Sequence, residues 1–194
     1  MQTTYGRCAR NGSTVSRLNK SNYLCRMVHI YTGNGKGKTT AALGLALRAA
    51  GSGKKVFFGQ FVKGMAYSEV SIINEKLPEI DHQLFGQKCF IKRDPKEEDF
   101  EAAREGLEKV RALIKEKKYD LIVLDEINIA LYYKLIPLEE VTDLLDTFPE
   151  ETELVLTGRY APEELIEKAD LVTEMKEIKH YFKQEVKARK GIEF

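Results

Sequence analysis

The run Thr32-Gly33-Asn34-Gly35-Lys36-Gly37-Lys38-Thr39 is set between a short apolar segment, Val28–Tyr31, and a stretch of strong helix formers, Thr39–Ala50. A strand that feeds a glycine-rich turn, which in turn opens a helix, is the context in which backbone N–H groups converge on a phosphate. That convergence needs φ values that glycine reaches cheaply, and Gly33, Gly35 and Gly37 supply them. The helix beginning near Lys38 adds the partial positive charge of its N-terminus. The Lys38 ammonium can reach phosphate oxygens, and the Thr39 hydroxyl can ligate a metal ion. The expected nucleotide-binding set is therefore Thr32, Gly33, Asn34, Gly35, Lys36, Gly37, Lys38, Thr39 and Thr40, with Mg-ATP as the ligand. The usual pattern G-x-x-x-x-G-K-[S/T] begins with glycine, and this one begins with Thr32. A glycine-rich turn with incidental lysines is the bland alternative, and it does not explain why a strand precedes the turn and a helix follows it.

The rest of the chain repeats the alternation. Val56–Phe61, Leu121–Leu124, Leu154–Leu156 and Leu171–Val172 are short apolar runs, bounded by helical patterns. Buried strands alternating with helices predict an α/β fold of the P-loop NTPase, RecA-like kind: a mainly parallel sheet with helices on both faces. Asp94-Pro95-Lys96-Glu97 reads as an N-cap, a proline in the first turn and a capping-box acid. The helix after it puts Phe100, Ala103, Leu107, Val110 and Ile114 on one face, so its charge run reads as the solvated face. Pro137-Leu138-Glu139-Glu140 and Ala161-Pro162-Glu163-Glu164 open two more helices.

At 194 residues the chain fits one main domain, and its 43% apolar content is that of an ordinary globular protein. A net charge of +1 gives no field directed at nucleic acid or an anionic membrane, and no apolar stretch approaches the roughly 20 residues of a spanning helix. A cytoplasmic protein is expected. Residues 1–26 differ from the rest: they hold no Asp or Glu, carry Arg7, Arg10, Arg17, Lys20 and Arg26, and are rich in Ser, Thr, Asn and Gly. That composition cannot bury a core, so 1–26 reads as a disordered basic extension ahead of a domain over 27–194. Cys8, Cys25 and Cys89 form no metal-ligand spacing.

Leu121-Ile122-Val123-Leu124-Asp125-Glu126 is an apolar strand ending in two carboxylates. In P-loop proteins an acid at a strand end holds the magnesium, so Asp125 and Glu126 join Thr39 as metal candidates. Their side chains should diverge, one toward the metal and one elsewhere. Arg159, in Thr157-Gly158-Arg159, falls at another strand end, where parallel sheets put ligands, and is expected to contact phosphate. His29 is expected to pack in the core and His82 to be solvated in a loop. No serine, cysteine or histidine set points to a protein nucleophile. These motifs alone fit a RecA-like ATPase or kinase acting at the β–γ bond, or a nucleotide-binding regulatory module.

The residues Tyr31-Thr32-Gly33-Asn34-Gly35-Lys36-Gly37-Lys38-Thr39-Thr40-Ala41-Ala42 resemble the P-loop of the ATP:corrinoid adenosyltransferases, Thr32 included. The resemblance continues through Gln60-Phe61-Val62-Lys63-Gly64, Val123-Leu124-Asp125-Glu126, Pro137–Val141, Thr157-Gly158-Arg159, Lys179-His180, Val186-Lys187-Ala188 and Gly191–Phe194. It implies transfer of the 5′-deoxyadenosyl group of ATP to the Co(I) of a reduced corrinoid, with release of triphosphate. It further implies an ATP held in reverse, with the γ-phosphate deep in the loop and the ribose 5′ carbon exposed. Magnesium (or manganese) would lie at Thr39 and Glu126, and Arg159 would contact phosphate. The family forms homodimers, and a flavodoxin-type reductant is implied. Phe90 matches an aromatic residue of the family's corrin pocket, whereas Lys92 stands where a Trp can occur.

Overall fold

The structure is a computed structural model, and it describes residues 26–65, 67–87 and 94–193. Six strands form one sheet: β1 (Val28–Thr32), β2 (Val56–Phe61), β3 (Ile80–Phe85), β4 (Leu121–Asp125), β5 (Glu153–Thr157) and β6 (Leu171–Glu174). Their order is β3-β2-β4-β5-β1-β6, and every pairing is parallel. Each parallel step needs a crossover, supplied by α1 (Lys38–Gly51), α2 (Ser68–Lys76), α3 (Glu97–Glu116), α4 (Ile127–Tyr132), α5 (Leu138–Thr147) and α6 (Glu163–Lys168).

Burial explains why the central strands read as unbroken apolar runs. Phe57, Phe61, Ile122, Leu124, Leu154 and Leu156 point to one side, where Ala103, Leu107 and Val110 of α3 and Val141 and Leu144 of α5 cover them. Val56, Phe58, Leu121, Val123 and Val155 point to the other, onto Ala42 and Ala46 of α1 and Ile73 of α2. With both faces covered, no strand position can be polar without a partner. The expected α/β architecture is the observed one. No helix among the described residues is long and apolar enough to cross a membrane.

Several local expectations change. The strand β3 and helix α2 are additional elements: β3 is an edge strand with Asp81, His82 and Gln83 in its middle, and α2 buries only Val70 and Ile73. The start of α3 lies at Glu97, and the acid that closes its first turn is Asp99, whose Oδ2 accepts from the Lys96 N–H at 2.8 Å. His29 is half-buried and pairs with Glu153 at 3.1 Å, and so lies outside the core. His82 lies on β3, stacks on Phe58, and bonds through Nε2 to Gln60 Oε1 at 2.9 Å. Residues 1–25, Phe90 and Lys92 lie outside the described residues.

Candidate active site

Every strand of a parallel sheet points its C-terminal end the same way, so the loops that follow them share one edge. Here that edge holds a cavity of about 710 Å³. Asn34–Thr40 enter it after β1, Lys63 after β2, Glu126 after β4, Arg159 after β5 and Glu177 after β6. Of the expected nucleotide contacts, Asn34, Gly35, Lys36, Gly37, Lys38, Thr39, Thr40 and Arg159 line it. Thr32 and Gly33 stand behind the lining: Thr32 Oγ1 accepts from the Ala161 N–H at 3.4 Å, and the Gly33 carbonyl accepts from Lys38 Nζ at 2.8 Å.

The backbone is strained where it enters this edge. Val62, Glu126 and Tyr160 all have φ near +60°; Val62 and Glu126 directly follow β2 and β4, and Tyr160 lies in the loop after β5. For residues with a Cβ that conformation costs of order 1–3 kcal/mol, and such strain clusters at ligand sites.

Asp125 and Glu126 diverge as expected. Asp125 is fully buried and saturated. Its Oδ1 accepts from the hydroxyls of Thr39 at 2.9 Å and Thr157 at 2.6 Å, and its Oδ2 from Gln60 Nε2 at 3.0 Å and Lys63 Nζ at 2.7 Å. Burial acts to raise its pKa, but the Lys63 ammonium and these donors outweigh burial and hold it below the usual carboxylate range. The same pairing overcomes burial at Lys63, which is held above the ordinary lysine range. Glu126 turns into the cavity, its N–H donating to Thr157 Oγ1 at 3.0 Å. Burial and the adjacent Asp125 charge push its carboxyl up.

Lys38 is buried among the loop it belongs to and donates to the Gly33 and Gly35 carbonyls at 2.8 and 2.7 Å. Burial lowers its pKa, and Arg159 acts in the same direction against Glu126 and Asp125. The far wall comes from the C-terminal segment. Lys36 Nζ donates to the Tyr181 hydroxyl at 3.0 Å, the Ile192 carbonyl at 2.9 Å and Glu193 Oε1 at 2.9 Å. His180 Nδ1 accepts from the Phe182 N–H at 3.0 Å and caps the short 3₁₀ turn Tyr181–Gln184. Phe182 and Ile192 remain largely exposed on the rim.

Residues 25–194 match the family described as ATP:corrinoid adenosyltransferase BtuR/CobO/CobP. The chain belongs to this adenosyltransferase family. A corrinoid adenosyltransferase from a Sinorhizobium species is 39% identical over 171 residues, covering 87% of this chain and 80% of that protein. One from Escherichia coli K12 is 35% identical over 169 residues, covering 87% and 85%. A solved KaiC-like protein from Pyrococcus horikoshii superposes with a TM-score of 0.52 over 77% of this chain and 72% of its own, at 21% identity. That likeness bears on the fold, and it agrees with the RecA-like α/β architecture. The cavity is also lined by residues that the sequence motifs do not assign: Lys63, Tyr67, Glu69, Glu177, His180 and Phe182. Lys63 and His180 fall inside the segments that carry the family resemblance, but nothing in their spacing says which way they face.

Proposed function

We propose that this chain transfers the 5′-deoxyadenosyl group of ATP to the cobalt of a reduced corrinoid and releases inorganic triphosphate. The observation that carries the reading is a single cavity, in a chain of this family, where the glycine loop, Thr39, Glu126 and Arg159 all meet. The triphosphate of ATP lies against Asn34–Thr40 and Arg159, its γ end deepest, so that the ribose 5′ carbon faces outward. The corrinoid Co(I), as substrate, brings the electron pair. The cobalt–carbon bond forms as the C5′–O bond breaks, and the bonding electrons depart with the triphosphate. A nucleophilic side chain is therefore unnecessary.

The protein's contribution is electrostatic and geometric. Lys38, Arg159 and the N-terminus of α1 face the charge that grows on the leaving group. Fixing C5′ in line with the cobalt removes most of the orientational cost of a bimolecular step.

Hard oxygen donors fit magnesium or manganese, which bind through one or two carboxylates with phosphates and water completing the shell. The Thr39 hydroxyl and the Glu126 carboxylate line the same cavity and would hold such an ion, with Asp125 orienting Thr39 through its hydroxyl proton. When bound, the ion supplies charge neutralisation to the triphosphate. The same reading includes a homodimer in the cytoplasm, a flavodoxin-type donor of the reducing electrons, corrin contact at Phe90, and a catalytic domain over 27–194.

The test mixes the protein with Mg-ATP and chemically reduced cobalamin. A light-sensitive adenosyl product and triphosphate, formed one for one, are expected. ADP and phosphate produced without a corrinoid would instead favour an ATPase or kinase.

A further inference from the structure

Lys63 is a buried cation with no part in the loop chemistry described above, yet much of the local structure serves to place it. It follows β2 through Val62, a β-branched residue at φ 61°, a conformation rarely adopted by such a side chain. Gly64 packs so closely on the loop after β3 that a Cβ would lie 2.1 Å from the Gln87 carbonyl oxygen. A Cβ on Gly86 would lie 2.6 Å from the Lys63 nitrogen. The two loops thus touch backbone to backbone and lock the turn that carries Lys63.

Its side chain is only 6% exposed, and that remainder opens into the cavity. Nζ lies 2.7 Å from Asp125 Oδ2 and 3.5 Å from Thr39 Oγ1, and sits 5.7 Å from the Tyr67 ring centre. An ammonium has three N–H donors; Asp125 takes one, and the Thr39 contact is long. If pairing with Asp125 were its whole task, a strained valine and a backbone-tight double loop beside the glycine loop would have no purpose.

We infer that Lys63 is a phosphate-binding lysine from outside the glycine loop, which joins Lys38 by donating to the terminal oxygens of the ATP triphosphate while it stays paired with Asp125. The inference rests on the reading that the triphosphate occupies the Asn34–Thr40 end of the cavity. The ligand it takes is an inorganic or nucleoside triphosphate, and the pairing with Asp125 keeps the ammonium charged and pointed.

Tripolyphosphate, without metal or corrinoid, is the probe, titrated by calorimetry into the full chain. Adenosine serves as the control ligand. Two variants are compared: Lys63→Gln, and the double variant Lys63→Met with Asp125→Asn, which removes both charges so that neither is orphaned. The double variant is expected to melt near the parent and to bind tripolyphosphate about 10- to 100-fold more weakly, with adenosine unchanged. Parent-like tripolyphosphate affinity in either variant would overturn the assignment, because Lys63 would then serve Asp125 alone. Should neither variant fold, ¹⁵N-edited spectra of the unsubstituted chain decide the matter. The Lys63 ammonium signal, identified by its loss in Lys63→Arg, must shift when tripolyphosphate is added, and an unmoved signal refutes the contact. Corrinoid adenosylation stays intact if only this assignment fails, so its failure is separable from failure of the proposed reaction.

Discussion

Asp125→Asn tests the electrostatic centre of the site most sharply. The carboxylate is wholly buried and accepts four side-chain hydrogen bonds, two on each oxygen. Asparagine keeps the shape but offers one acceptor oxygen and no charge, and it leaves the Lys63 ammonium, 6% exposed, without its counter-ion. Removing one partner of a buried pair costs about 3–5 kcal/mol, most of it from the stranded charge. For a domain of this size each kcal/mol moves Tm by about 2–4 °C, so a fall of about 6–20 °C is expected at neutral pH. Thermal unfolding followed by circular dichroism measures it. Adding Lys63→Met should recover most of the loss, because an uncharged pair strands nothing. The sign of the pH dependence follows from the depressed Asp125 pKa. Its stabilisation is complete above the unfolded carboxylate value of about 3.9 and is lost as pH falls through the lower folded value, so the gap between parent and Asp125→Asn narrows only in strong acid. A single variant within about 1 kcal/mol of the parent would show that no buried charge is stranded, since that is the worth of an ordinary neutral hydrogen bond. So would a double variant no better than the single one.

Lys38→Ala should lower kcat/KM for ATP by about 10²- to 10³-fold with little change in Tm, as steady-state kinetics and a melt will show. Burial and the Asp125 charge hold the Glu126 carboxyl above the usual carboxylate range, and the proposed Mg²⁺ site needs its ionised form, so apparent Mg²⁺ affinity is expected to weaken already on mild acidification. Glu126→Gln should bind Mg²⁺ poorly and without that pH dependence, which a metal titration at several pH values checks. Glu193→Ala removes one of three acceptors from Lys36 on an exposed wall. Hydrogen exchange should quicken across Tyr181–Glu193 while the melting temperature holds, and a global loss of protection would contradict a purely local tether.

The sequence makes the sheet's centre legible because two covered faces demand unbroken apolar runs. Val56–Phe61, Leu121–Leu124 and Leu154–Leu156 therefore stand out against their flanks. The strand β3 does not, since at the edge its Asp81 and Gln83 can remain polar, and α2 shows no apolar stripe with only Val70 and Ile73 buried. His82 looks solvated when read as part of a loop. Its partner Gln60 lies on a different strand, and only strand pairing brings the two together. The glycine loop can be read from spacing because local chemistry fixes it; the Asp125-Glu126 pair marks a strand end, but spacing leaves open which of the two turns into the cavity. Lys63 cannot be read this way: its direction depends on a left-handed Val62 and on contact between two loops that are distant in sequence. The C-terminal wall is also beyond motif reading, because Glu193 reaches Lys36 across 157 positions.

In the proposed reaction the bond that breaks lies between the ribose 5′ carbon and its oxygen. ATP carrying ¹⁸O in the 5′ bridging position tests it directly. With Mg²⁺ and a reduced corrinoid, the ¹⁸O is expected to leave in inorganic triphosphate, seen by mass spectrometry and ³¹P NMR, in equal amount to the adenosyl-corrinoid. Label retained in ADP, with unlabelled phosphate released, would place the reaction at the β–γ bond and rule out transfer of the adenosyl group to cobalt.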